Sequence, residues 1–205
     1  MNKMVPPAEF QGPEPHRSTQ GAQDWSRLHW TIEKFDKATE LGLFGPRDRI
    51  ELIHGELVPM AAKGNRHERV RDDVLNWIAD QKPKDVRFAS EPGWRVRSDV
   101  YLEPDIIVYD GKSRMPAVPA DQILLGIEVA HSSLKWDLGP RSVLLASLGL
   151  RSYWVIDAQT LVIHSFDGLL DGNYTVMRKH KPSKLVTPPL VPMLALRMAD
   201  LGIDG

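Results

Sequence analysis

The chain has 205 residues and carries 26 lysines and arginines against 27 aspartates and glutamates, for a formal net charge of −1. That size predicts one domain with a substantial core, and the balanced charge excludes bulk attraction to nucleic acid, leaving room only for a local basic patch. The absence of cysteine excludes disulfides, zinc–thiolate centres and thiol nucleophiles, so a metal site would need oxygen or imidazole ligands.

No apolar run is long enough to span a bilayer and the N-terminus lacks an apolar signal core, which predicts a cytoplasmic protein with no membrane partner. Residues 1–24 mix Pro, Gln, Gly, Ser and charge, a composition that predicts a disordered tail. The domain proper is expected over 25–180. A helix opens at Thr31, which can cap it, with Trp30 and Phe35 at the two positions of a hydrophobic staple and Ile32, Phe35 and Thr39 as its inward stripe. Arg49–Ile53 and Glu56–Met60 flank the His54-Gly55 turn and read as a β-hairpin.

A second helix is expected from about His67 to Gln81, capped by Asn65, with Val70, Val74, Trp77 and Ile78 buried. His67 lies three residues before Val70 and so points inward with them. Val86–Ser90 and Trp94–Val100 read as two strands joined at Glu91-Pro92-Gly93, and Asp105–Tyr109 as another. Ile123–Ala130 is a short apolar run bounded by turn signals, the pattern of a buried central strand. A helix from about Asp137 to Leu148 stops at Gly149, and strands follow at Tyr153–Asp157, Leu161–Phe166 and Tyr174–Arg178. Residues 181–205, rich in proline, are expected to form an extended, irregular tail. The order predicts an α/β (α+β) fold, a mixed sheet flanked by helices.

Chemistry concentrates on two acids. Glu128 sits near the end of the central strand, where an ionised carboxylate needs a partner, and Asp105 stands at the mouth of another apolar strand. Together they have the types to bind a hard cation such as Mg²⁺ or Mn²⁺, whose chemistry includes phosphodiester hydrolysis. On a helix of 3.6 residues per turn Asp137, Arg141, Leu144, Leu145 and Leu148 share one face, so Arg141 is aimed toward Glu128. An i,i+4 ion pair between Asp137 and Arg141 explains the spacing but not the side of the helix. Lys63, Arg66, Arg69 and Arg71 form a basic cluster beside His67 that could meet phosphates, although a solvated helix face is the default. Lys135 reads as a solvated charge at a helix entrance, His54 as a turn residue, His164 as an exposed strand position and Trp154 as core.

The series Glu51-Leu-Ile-His-Gly-Glu56-Leu, His67, Pro104-Asp105, Glu128-Val-Ala-His-Ser-Ser-Leu, Asp137, Arg141, Gly149 and Tyr153-Trp-Val-Ile-Asp157 resembles the Uma-type restriction endonuclease family of the PD-(D/E)XK nuclease superfamily. The resemblance spans roughly residues 31–178. It implies a restriction-endonuclease-like core in which Asp105, Glu128 and the backbone carbonyl of Val129 hold Mg²⁺ or Mn²⁺. It also implies that Glu56 assists near the metal, that DNA is the substrate, and that a homodimer forms to cut two strands. The superfamily's lysine, two residues after the second acid, is replaced by Ala130, and its counterpart on the following helix falls at Arg141. Arginine can neutralise a developing phosphorane but not deprotonate water, since its pKa stays above about 12. His67, Arg66, Lys135 and Asp137 are left as contacts to nucleic acid or as supports of the site. Two other readings stay open: a module that binds DNA or a protein without cutting, and a purely structural ionic cluster of Asp105 and Glu128 with Arg141 or Lys135.

Overall fold

The computed structural model describes residues 28–45 and 48–203, so the predicted N-terminal tail, 1–24, lies outside the described residues. Helix α1 (Ile32–Glu40) begins as expected, Thr31 accepting a hydrogen bond from the Lys34 N–H at 3.3 Å. Its staple is indirect: Trp30 and Phe35 each meet the ring of Phe44, and Ala38 rather than Thr39 completes the buried face.

The hairpin follows as β1 (Ile50–Ile53) and β2 (Glu56–Pro59). His54 and Gly55 both take positive φ, 49° and 77°, the backbone that a two-residue turn of matching twist requires. Helix α2 (Asn65–Gln81) starts two residues before His67: Gly64 rather than Asn65 is the N-cap, and Asn65 stands inside the first turn. Val70, Val74 and Ile78 are fully buried, with Trp77 half-buried beside them.

The two strands expected on either side of Glu91-Pro92-Gly93 belong to different sheets, and the second of them breaks into two at Ser98-Asp99. Strand β3 (Val86–Ser90) pairs with β6 (Ile106–Asp110), while β4 (Trp94–Arg97) pairs with β5 (Val100–Leu102) after a turn at Ser98-Asp99. Two sheets result. The smaller has the order β2-β1-β5-β4; the larger, completed by β7 (Ile123–Ala130), β8 (Tyr153–Asp157), β9 (Ile163–Leu170) and β10 (Asn173–His180), has the order β10-β9-β8-β7-β6-β3. The β7–β8 pair is parallel and its neighbours are antiparallel, so the larger sheet is mixed, with β7 well inside it as the apolar run predicts.

Period-two alternation separates the faces of this sheet. Val108, Leu125, Ile127, Val129, Trp154 and Ile156 pack on one side against α2. Ile107, Tyr153 and Val155 pack on the other against Leu144, Leu145 and Leu148 and against Trp94 and Leu102 of the smaller sheet. Gly126 lies on this second side, where an added Cβ would stand 2.9 Å from Leu150, so the absent side chain lets the segment after the helix close onto the strand.

That helix is not uniform. It runs as α3 (Leu134–Trp136), a π-turn (Asp137–Arg141) and α4 (Ser142–Ser147), with Pro140 inside the π-turn. Proline has no N–H to give, and the wider turn is how the chain passes it. Gly149, at φ 95°, ends the segment as expected. Residues 181–203 are irregular but are no free tail. Val186 bridges Leu196, and Val186, Val191, Leu194, Leu196 and Met198 are buried in the same core cluster as α2. Irregular backbone and short 3₁₀ turns carry no helical or strand period, which is why the burial of these residues is invisible in the pattern.

Candidate functional site

The head of β6 and the end of β7 bring Asp105 and Glu128 together. Glu128 faces the side of the sheet that carries α4, since it alternates with Ile127 and Val129. The Asp105 N–H donates to Glu128 Oε2 at 3.1 Å, and the Val129 N–H donates to Asp105 Oδ2 at 2.8 Å. Both carboxylates are thus tied to each other's strand and are buried, 4% and 6% exposed.

Arg141 comes down from the π-turn onto this pair. Its Nε donates to Glu128 Oε1 at 2.7 Å, and another guanidinium nitrogen reaches Glu51 Oε2 at 2.5 Å. Glu51, in the middle of β1, also accepts the Glu103 N–H at 2.7 Å. The inward aim read from helical spacing therefore holds for Arg141 and for Asp137, both buried; Arg141's partners are Glu128 and Glu51. Glu51 is the residue that pattern reading missed. It is an acid inside a short apolar strand, the same signal that singled out Glu128.

From the other side, α2 contributes His67, whose Nε2 lies 3.0 Å from Asp105 Oδ2; with an ionised acceptor the ring donates there. Lys63, on the loop leading into α2, places Nζ 2.5 Å from Asp105 Oδ1 and also bonds Glu91. Glu91 holds Arg49 at 3.2 Å and Arg71 at 3.1 Å as well. The basic cluster is thus partly inside the site: Lys63 and Arg71 are engaged with acids, Arg69 is exposed, and Arg66 donates to the Ala158 carbonyl at 2.9 Å.

These groups line a cavity of about 280 Å³, shared by Glu51, Lys63, His67, Asp105, Glu128, Val129, Asp137 and Arg141. Val58, Pro59, Met60 and Trp136 supply an apolar wall. Three expected site residues are not among its lining. Glu56 is exposed on β2 opposite Ile53, Lys135 is exposed at the helix entrance, and Arg66 is turned to the Ala158 carbonyl. His54 is exposed in its turn and Trp154 is core, as expected, whereas His164 is half-buried on β9 rather than exposed.

Electrostatics divide the two central acids. Burial pushes the Glu128 carboxyl well above the usual range; Arg141 opposes this, while Asp105, Asp137 and Glu51 add to it. Burial also acts to raise Asp105, but the His67 hydrogen bond and the Lys63 charge outweigh it and hold that carboxyl well below its ordinary value. Asp137 is raised, chiefly by burial, against a hydrogen bond from Ser133 and the charge of Arg141.

Carboxylate oxygens in such a cluster suit a hard divalent cation. Among the described residues no three His, Cys, Asp or Glu side chains converge as a finished metal cluster. Instead each oxygen of Asp105 and Glu128 already accepts from a protein donor, so an incoming cation would share an oxygen with one or take its place.

A family model named Uma2 and described as "Putative restriction endonuclease" matches residues 32–199. No curated protein matches the chain. Among solved structures, a putative nuclease belonging to DUF820, from Anabaena variabilis, superposes with a TM-score of 0.60 at 18% identity, covering 84% of this chain and 97% of that one. At that identity the likeness is one of fold alone.

Proposed function

The chain belongs to the Uma2 family, and from that premise we propose that it is a divalent-metal-dependent endonuclease that hydrolyses DNA phosphodiester bonds. The observation that carries the reading is the pair Asp105 and Glu128, cross-linked through the Asp105 and Val129 amides and facing one cavity. The ligand set would be Asp105, Glu128 and the carbonyl of Val129, taking Mg²⁺ or Mn²⁺. Bound there, such an ion supplies Lewis-acid stabilisation of phosphoryl oxygens and lowers the pKa of a coordinated water.

The chain's own residues do the positioning. Arg141 holds Glu128 against Glu51, and because its guanidinium is spent on two carboxylates it acts through Glu128 rather than on phosphate. His67 fixes one oxygen of Asp105. Glu51 takes the supporting place that the resemblance assigned to Glu56. The apolar wall excludes water from one side, which strengthens the charges opposite. At the rim, Arg49, its side chain 30% exposed beside Glu91, offers the positive charge that a DNA backbone seeks. Cutting both strands would call for two such sites, hence a homodimer.

The test is cleavage of supercoiled and linear DNA with Mn²⁺ or Mg²⁺, beside Asp105→Ala and Glu128→Ala. Metal-dependent cutting that both substitutions abolish supports the reading; intact DNA at saturating metal overturns it. The second reading, a module that binds DNA or a protein without cutting, draws on the protein donors already seated on all four carboxylate oxygens. Gel-shift binding without cleavage would favour it.

A further inference from the structure

Two fixed cations line the cavity among the described residues, and they are held very differently. Arg141 is 3% exposed, rises from a helical turn and bonds two buried acids. Lys63 stands on the loop between β2 and α2, flanked by the exposed Ala61, Ala62 and Gly64. Its ammonium bridges two carboxylates of unlike setting: Asp105, whose side chain is 5% exposed at the bottom of the site, and Glu91, whose side chain is 36% exposed at the rim.

The two perches keep a fixed relation. The Glu91 N–H donates to the Asp105 carbonyl at 2.9 Å, and Glu91 adopts φ 46°, a left-handed backbone seldom taken by a non-glycine residue. A lysine ammonium is a compact charge on a flexible four-carbon stem, so it can release Asp105 while keeping Glu91 by rotating its own bonds. Glu91 is also shared by Arg49 and Arg71, which weakens its hold on any one cation.

We propose that Lys63 is a resident cation on Asp105, which an incoming divalent ion displaces to the cavity mouth, where its ammonium meets the substrate phosphate. A divalent ion on Asp105 Oδ1 would stand within a few ångströms of the Lys63 ammonium, and the repulsion between them, stronger than that between the monovalent Lys63 and Arg49 groups that share Glu91 Oε1, drives the ammonium off Asp105. The metal half needs only the geometry above; the phosphate half rests on the nuclease reading. Lys63 thus becomes the mobile positive charge of a site whose other fixed cation is clamped and whose Ala130 carries none.

The test is calorimetric titration of the full chain with MnCl₂ at fixed pH and ionic strength, comparing wild type with Lys63→Gln and with Asp105→Ala as the control that locates the site. Removing the competitor is expected to tighten Mn²⁺ binding by at least about tenfold. A Lys63→Gln protein that binds Mn²⁺ equally or more weakly overturns the proposal and leaves the nuclease reading intact. A second measurement uses wild type alone: reductive methylation of Lys63, followed by mass spectrometry, should speed up several-fold when Mn²⁺ saturates the site. An unchanged or slower rate overturns the proposal even if Lys63→Gln does not fold. Tighter Mn²⁺ binding without any DNA cleavage by wild type would keep the displacement and sink the nuclease reading.

Discussion

Asp105 and Glu128 stand on neighbouring strands, are buried to a similar degree and are hydrogen-bonded to each other's backbones, yet their carboxyls are driven in opposite directions. The Asp105 half of the cavity receives two basic groups, Lys63 and His67, from the loop before α2 and from its first turns. The Glu128 half receives one, Arg141, and shares it with Glu51 while Asp137 adds a further negative charge. Burial alone would raise both acids. The His67 hydrogen bond and the Lys63 charge reverse this at Asp105, whereas Arg141 does not reverse it at Glu128, and two carboxylates pushed apart in this way can play unlike parts in one reaction.

The contrast can be broken most severely at Arg141. Arg141→Ala strands Glu128 and Glu51 as buried charges, and such losses run to about 3–5 kcal/mol; urea unfolding of the variant should show a loss of that size. A loss below about 1 kcal/mol would mean that water already screens the pair.

Next in size are opposite pH trends. Glu128 is raised in the folded state, so its contribution to stability is complete below its ordinary value of 4.5 and fades as pH rises through the higher folded value. Glu128→Gln should therefore gain on wild type as pH rises. Asp105 is lowered, so its contribution is present above its ordinary value of 3.8 and fades as pH falls through the lower folded value. Asp105→Asn should be the less stable protein at neutral pH, with the gap closing toward acid. Denaturant midpoints of both variants, followed from acid to mildly alkaline conditions, check the two slopes; parallel slopes would refute the division.

Smaller again is His67→Ala, which removes one hydrogen bond to a carboxylate and should cost about 1.5–3 kcal/mol by thermal unfolding. Its effect should shrink in an Asp105→Asn background, where that charge is gone. Glu56→Ala sits at the bottom of the scale. An exposed position outside the cavity should move stability by no more than about 0.5 kcal/mol, whereas Glu51→Ala should behave like the loss of a buried partner.

Much of this was legible in the residues. The apolar run Ile123–Ala130 specified its own strand, and the paired positive-φ turn at His54-Gly55 made the hairpin local. Helical period placed His67, Asp137 and Arg141 on inward faces even though Pro140 widens a turn between the last two, because one π-turn rotates side chains less than it would take to bring them to solvent. What was not legible was non-local. Whether the chain on either side of Pro92-Gly93 forms a hairpin or divides between sheets depends on competition from β6 and β5, not on the connection itself. Lys63 lies on a loop, where no period tells which way a side chain points. Glu51 was within reach, since an acid between Ile50 and Leu52 called for the same question asked of Glu128.

The packing of Val186, Leu194 and Met198 with α2 in one core has a consequence for the order in which the chain is made. The helix that aims His67 at Asp105 rests on β6, β7 and β8 and is backed further by residues translated long after it. A nascent chain that has emerged through β8 holds both acids of the cavity and the sheet face beneath α2 but not this further backing, and a version clipped near residue 181 would lose part of the brace behind its histidine rather than a dispensable end.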